Sequence, residues 1–267
     1  MQVSERHVEL GVFLPVGNGG WITSTTSPQL PATYDYNKQV TVLAEEFGFD
    51  FALSMAKWRG YGGPSRHWDF TLESMTTMAG LAEATSRIGV WGTVHTMIFH
   101  PAVVAKMAAV IDQISKGRFG LNLVAGSNPV DQGQMGLWRD LDHAGRYRLA
   151  EEWLAVIRRL WSEERVEHAG EFFRLEDCMS NPKPERAPPI ICAGTSDTGF
   201  RFTAQHCTGS FLLGSNRDDF VKTGRRAKEV AAEVGRTGFK TYGLFTIVPG
   251  ATDKEAQERV DYYNSGV

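Results

Sequence analysis

Short apolar stretches alternate with longer amphipathic ones along almost the whole chain. Residues 8–14, 49–54, 88–93, 119–125, 190–193, 210–213 and 241–248 are brief runs rich in β-branched and aromatic side chains, the pattern of buried strands. Between them lie segments with helical periodicity: 34–47, 72–85, 101–115, 147–161, 200–205, 218–234 and 253–263. In 147–161, Leu149, Trp153, Ile157 and Leu160 fall on one face. Gly48 and Gly117 stand where two helices should stop, and Pro101 sits in a first turn, where its missing N–H costs nothing. The rhythm breaks once. Residues 166–175, with Gly170 in the middle, predict a small hairpin, and Pro182, Pro184, Pro188 and Pro189 predict a stiff connector after it.

Repeated strand–helix units imply a parallel sheet. No G-x-G-x-x-G follows the first strand, which argues against a dinucleotide-binding Rossmann domain. Seven uninterrupted units fit a (β/α)8 TIM-type barrel as one domain over residues 1–267, with the hairpin as an insertion. A closed barrel needs an eighth strand and none is legible, so the expectation is a barrel lacking its C-terminal βα unit in this chain. An open barrel, with two exposed edges, is the alternative.

Composition narrows function mainly by exclusion. The 267 residues are 42% apolar and 22% charged, with 28 basic against 31 acidic side chains. That balance leaves no electrostatic footprint for nucleic acid or an anionic membrane. No apolar run is long enough to cross a bilayer, and the first residues lack a signal-peptide core. Cys178, Cys192 and Cys207 include no C-x-x-C pair, which speaks against a disulfide framework or structural zinc and for a cytoplasmic protein. No H-E-x-x-H or G-x-S-x-G occurs, so neither a zinc hydrolase nor a serine hydrolase is indicated, and no metal is expected.

Reacting groups of an α/β barrel sit at the C-terminal ends of its strands. There the sequence places a Gly-rich loop at Gly17–Trp21, then Met55 and Lys57, then Thr93 and His95, then Asn122 and Ser127. Asn122, between Leu121 and Leu123, is either a satisfied core amide or a ligand contact. Ser196 reads as a helix N-cap, whose first turn is also a place for a phosphate. Arg146 and Tyr147 are expected to open a helix, where a cation opposes the helix dipole unless an anion joins it. Cys192 reads as inert core.

A series of motifs carries a resemblance. Gly11-Val12-Phe13-Leu14-Pro15, Gly20-Trp21-Ile22, Asp50-Phe51-Ala52-Leu53-Ser54-Met55 and Gly117-Arg118-Phe119-Gly120 come first. Gln134-Met135-Gly136, Arg146-Tyr147, Glu171-Phe172-Phe173 and Ile191-Cys192-Ala193-Gly194-Thr195-Ser196-Asp197 follow in order. Together they resemble the bacterial luciferase-like flavin monooxygenases, and within them the pyrimidine (uracil) monooxygenase branch of the Rut pathway. The resemblance implies an enzyme that takes reduced FMN from a separate NAD(P)H-dependent flavin reductase. With O2 it would form a flavin peroxide, N5-linked in the pyrimidine branch, that oxygenates a small substrate. Leu53, Met55 and Val124 would wall an oxygen pocket with Thr93 and Asn122 as its polar members. FMN contacts would fall on Ala56, Lys57, Asn122, Asp131, Arg146, Tyr147 and Ser196, and substrate contacts on His95 and Ser127. A homo-oligomer is expected.

The chain departs from that branch at several of these positions. The branch has Trp where this chain has Ser127, Ala where it has His95, an apolar branched residue where it has Ala56, and Glu where it has Asp131. Ser127 would widen the substrate mouth and His95 would add a titratable donor or acceptor, which points to weak activity on uracil and a bulkier or differently polar substrate. Other readings are oxygenation of an organosulfur or amide compound, hydride transfer with a deazaflavin, and flavin binding without catalysis.

Overall fold

A computed structural model describes residues 8–126 and 128–267; Ser127 lies outside the described residues. The chain runs β1 (Gly11–Leu14), α1 (Tyr34–Glu46), β2 (Phe51–Ser54), α2 (Ser74–Ala84), β3 (Gly89–His95), α3 (Pro101–Ser115) and β4 (Phe119–Val124). A short α4 (Pro129–Gly133) and a long α5 (His143–Ser162) follow, then a hairpin of β5 (Val166–Ala169) and β6 (Arg174–Cys178). The rest is β7 (Ile190–Cys192), α6 (Asp197–His206), β8 (Gly209–Leu212), α7 (Arg217–Glu233), β9 (Lys240–Gly243) and α8 (Asp253–Asn264). Seven strands form one sheet in the order β1-β2-β3-β4-β7-β8-β9, and every pairing is parallel. This is the curled sheet of a TIM-type barrel, with helices on its outside.

Side-chain alternation explains why the sheet holds two cores. Ala52, Val90, Leu121, Leu123 and Cys192 pack outward into one large apolar cluster with α2, α3 and α5. Phe51, Leu53, Ile191 and Phe211 form a separate cluster inside the curl, joined by Phe13, Trp91 and Tyr242. Glycines make room for these rings. A Cβ on Gly120 would lie 2.4 Å from the Trp91 ring, and one on Gly11 would lie 2.2 Å from Phe51. The two edge strands are tied across the gap between them. The Glu9 carboxylate accepts from Lys240 Nζ and, at 2.8 Å, from the Tyr242 hydroxyl. The hairpin forms its own two-stranded sheet. It is fastened to α5 by Glu152, whose carboxylate accepts from the N–H groups of Phe172 and Phe173 and pairs with His168 Nε2 at 2.9 Å.

Three boundaries differ from expectation in ways that matter. β3 continues to His95 because its register with β4 runs on to His95↔Val124, so both Thr93 and His95 are strand residues. β9 stops at Gly243, since β8 offers partners only from Gly209 to Leu212, and Phe245 and Ile247 are left exposed. α5 begins at His143, where Asp142 is the N-cap and accepts from Gly145 N at 2.7 Å. Arg146 therefore does not open the helix: its own N–H already bonds to Asp142 O, and only its guanidinium is available to an anion.

Arg118 fastens the outer helices to the sheet. Its guanidinium donates to the carbonyls of Ala82, Thr85, Ile88 and Ser115 and to the Thr85 hydroxyl, capping the end of α2 beside the starts of β3 and β4. Arg118→Met keeps the stem but strands these acceptors, and should lower unfolding free energy by about 3 kcal/mol in urea titration. A loss under about 0.5 kcal/mol, the scale of ordinary surface substitutions, would show that water replaces the guanidinium.

Candidate active site

The inward face above the aromatic floor turns polar at the C-terminal ends of β3 and β4. Thr93 and Asn122 are register partners, both nearly fully buried. The Thr93 hydroxyl donates its one proton to Ser54 O, so toward Asn122 it can only accept, and Asn122 Nδ2 donates to it at 3.0 Å. This fixes the amide orientation and leaves Asn122 Oδ1 buried with no partner among the described residues. A buried carbonyl oxygen left open in this way calls for a donor from a ligand or water.

One step further out, His95 and Val124 are register partners. His95 is buried, and burial pushes its pKa down to about 4; Asp131 nearby works to raise it and Lys57 to lower it. Its Nδ1 lies 3.1 Å from Nε2 of Gln132, a fully buried side chain of α4. Lys57 and Asp131 form a buried ion pair at 3.7 Å, and Lys57 Nζ also lies 4.5 Å from the Tyr61 ring centre. Asp131 Oδ1 accepts from Trp58 N at 2.9 Å and Arg59 N at 2.6 Å. The carboxylate thus ties the loop after β2 to α4.

A cavity of about 230 Å³ opens beside this group, between the ends of β4 and β7. Val124 and Gly126 form one wall, Arg146 and Tyr147 of α5 a second, and Gly194 to Ser196 a third. Ser196 caps α6, accepting from Gly199 N at 3.0 Å, and its hydroxyl is 3.3 Å from His143 Nε2. Arg146 is anchored by a bond from Nη1 to Leu141 O. Gly194 is required here, because a Cβ would come within 2.4 Å of the Tyr147 hydroxyl.

The structure thus sorts the residues singled out from the sequence into three places. Val124, Arg146, Tyr147 and Ser196 share the cavity. Thr93, Asn122 and His95 line the polar top of β3 and β4, and Lys57 pairs with Asp131 next to them. Leu53 belongs to the barrel interior with Ile191 and Phe211. Met55 is buried in the large apolar cluster, with its methyl 3.0 Å from where a Cβ on Gly17 of the loop after β1 would be, and Ala56 follows it half-buried. Sequence reasoning missed Gln132 and the short α4 that carries it. The signal was present: Asn128 as N-cap, Pro129 in the first turn and Asp131 just after are a helix start. Among the described residues no cluster of His, Cys, Asp or Glu is placed to hold a metal ion, and no helix is long and apolar enough to cross a membrane.

A parallel barrel with a polar group and a cavity at the C-terminal ends of its strands is the architecture on which α/β-barrel enzymes build their sites. Comparison with known proteins narrows it: residues 8–267 match the family model described as luciferase-like monooxygenase, and the chain belongs to that family. The pyrimidine monooxygenase RutA of Methylorubrum extorquens strain PA1 is 43% identical, across 99% of this chain and 72% of that protein. Among solved structures, riboflavin lyase RcaE, determined with modified FMN and riboflavin, superposes with a TM-score of 0.86 at 22% identity, across 98% of this chain and 67% of that one. EDTA monooxygenase from Chelativorans sp. BNC1 does so with 0.84 at 20% identity, across 98% and 69%. The protein is therefore a monooxygenase of the flavin-dependent class.

The depressed His95 pKa makes stability depend on pH. The unfolded imidazole takes up a proton near its ordinary 6.5, whereas the folded one resists until about 4. Its contribution is complete above pH 6.5 and is lost as pH falls toward 4. Between pH 7 and pH 4.5 the wild type should lose roughly 2–3 kcal/mol more unfolding free energy than His95→Gln, read by urea titration at both pH values. Parallel losses in the two proteins would mean that His95 titrates normally.

Proposed function

We propose that this protein is a two-component monooxygenase that receives reduced FMN from a separate NAD(P)H-dependent flavin reductase and uses O2 to oxygenate a pyrimidine-type heterocycle. The observation that carries the reading is the juxtaposition of an anion-suited cavity with an unpartnered amide oxygen. Arg146 and the capped start of α6 at Ser196 flank the first, and Asn122 Oδ1 is the second. FMN needs both, a phosphate site and an acceptor for a ring N–H. The pyrimidine substrate is supported by the 43% identity to RutA over nearly the whole chain. A cytoplasmic location fits three free cysteines.

In this reading Arg146 and the first turn of α6 hold the phosphate, and Tyr147 supports them from beneath Gly194. Thr93 acts by orienting Asn122, because its own proton is committed to Ser54 O. Lys57 places a cation, balanced by Asp131, next to a site where charge changes during reduction and reoxidation. A reduced FMN held by these residues would supply the electrons that let O2 give one oxygen atom to substrate and one to water. In this reading the aromatic loops after β1 and β2 help to shield the site from water. Trp21 and Trp68 stack edge to face at 5.3 Å, and Trp68 Nε1 donates to Gly20 O. His95 faces the substrate side of this space. The expected preference for a bulkier substrate rests largely on Ser127, which lies outside the described residues.

Two measurements test the reading. Purified protein with a flavin reductase, FMN, NADH, ¹⁸O2 and a panel of pyrimidines, from uracil to bulkier substituted rings, should give an oxygenated product carrying one ¹⁸O by mass spectrometry, with uracil among the poorer substrates. NADH oxidation with peroxide release and no labelled product would reject the substrate class. Arg146→Ala should weaken FMN binding by about 1.5–3 kcal/mol, the range for a hydrogen bond to a charged group, in a fluorescence titration. Unchanged affinity would move the phosphate elsewhere.

A further inference from the structure

Gln132 makes one side-chain hydrogen bond among the described residues, and it is to His95. It is held firmly. α4 is capped by Asn128, whose Oδ1 accepts from Asp131 N at 3.1 Å, and the Asp131 carboxylate is clamped by the loop after β2. An amide –NH2 only donates. Gln132 Nε2 lies 3.1 Å from Nδ1, and in that amide orientation the ring nitrogen accepts and a neutral imidazole carries its proton on Nε2. Nε2 has no partner among the described residues, while His95 sits at the inward end of β3, one alternation beyond Thr93. Two open polar atoms nearby are acceptors, Asn122 Oδ1 and Gln132 Oε1, while Trp58 Nε1 and Thr96 Oγ1 are also buried with no partner among the described residues. In this tautomer His95 contributes a neutral N–H donor on the inward face at the ends of β3 and β4.

We infer that Gln132 is a positioning residue that locks His95 in the Nε2–H tautomer, so that the site selects neutral substrates presenting a ring carbonyl to that N–H. The proposal rests on the monooxygenase reading for its substrate and on geometry alone for the tautomer. It explains why an imidazole is tolerated in a buried position: a neutral ring with one nitrogen satisfied and the other turned to substrate needs no counter-charge. The charged groups that act on the ring are Asp131 and Lys57, and they neutralise each other as a pair. A substrate offering an N–H at this point would meet a donor and be rejected.

The tautomer is tested without turnover. In protein labelled with ¹⁵N-histidine, long-range ¹H–¹⁵N spectra at pH 7 should show His95, assigned by its loss in His95→Gln, with the proton on Nε2. Gln132→Leu should convert it to a mixture or to the Nδ1–H form. An Nδ1–H ring in the wild type, or an unchanged Nε2–H ring in Gln132→Leu, overturns the inference whatever the enzyme's activity. In the second arm, Gln132→Leu should raise KM for the pyrimidine that the wild type turns over best by about tenfold, the size of one hydrogen bond, while kcat and FMN affinity change little. Gln132→Glu should instead favour an imidazolium and make KM vary between about pH 5 and 8. Flat KM values in both variants overturn the selection step. Absence of turnover of every pyrimidine tried in the wild type indicts the substrate assignment, and the spectra still decide the role of Gln132.

Discussion

A parallel barrel has room in its middle, and here that room is filled from below by rings. Phe51, Trp91 and Tyr242 occupy the floor, and Phe13, Leu53, Ile191 and Phe211 lie with them in one interior cluster. The rings fit only because Gly11 and Gly120 lack a side chain where Phe51 and Trp91 lie. Protein interiors are packed like crystals, and these rings fill the lower part of the curl. Everything polar that the strands turn inward must sit above them, at the C-terminal ends. Thr93, Asn122 and His95 do so. The apolar floor thus sets the depth of the site, and it gives the hydrogen bonds above it a low-dielectric base on which they are strong.

Loops cover the rest, and a single buried carboxylate organises them. Asp131 receives two backbone N–H groups from the loop after β2 and faces Lys57. An unpaired charge at that depth would be costly, and an excellent hydrogen-bond count is what makes a buried pair tolerable. The same short helix carries Gln132 to His95. Anchoring of the loop and orientation of the imidazole therefore come from adjacent residues on one element, and a change in α4 should be felt on both sides of the site.

Much of the architecture was legible in the pattern of the sequence, because period-two and period-3.6 repeats report directly on which faces are buried. The seven sheet strands and the hairpin appear where apolar runs and Gly170 put them. What was less legible was decided by partners distant in sequence. β3 runs to His95 because β4 pairs with it that far, and β9 is short because β8 ends. α5 starts at His143 through the Asp142 cap, which removes the helix-dipole argument for Arg146 while leaving its guanidinium at the cavity. The site was visible as residue types at strand ends. The sharing of one cavity by Val124, Arg146, Tyr147 and Ser196 emerges only from the packing of α5 against β7 and α6. Leu53, which the resemblance implies as a wall of an oxygen pocket, packs with Ile191 and Phe211 in the interior cluster.

The central claim is that the cavity between β4 and β7 holds the phosphate end of a flavin. Calorimetric titration of the protein with FMN and with riboflavin, side by side, tests it most directly, since the two ligands differ only in the phosphate. A charge-assisted contact to Arg146 and the start of α6 predicts that FMN binds at least about tenfold more tightly, and that the difference shrinks as salt is raised. Equal affinities for the two ligands at low salt would contradict the account.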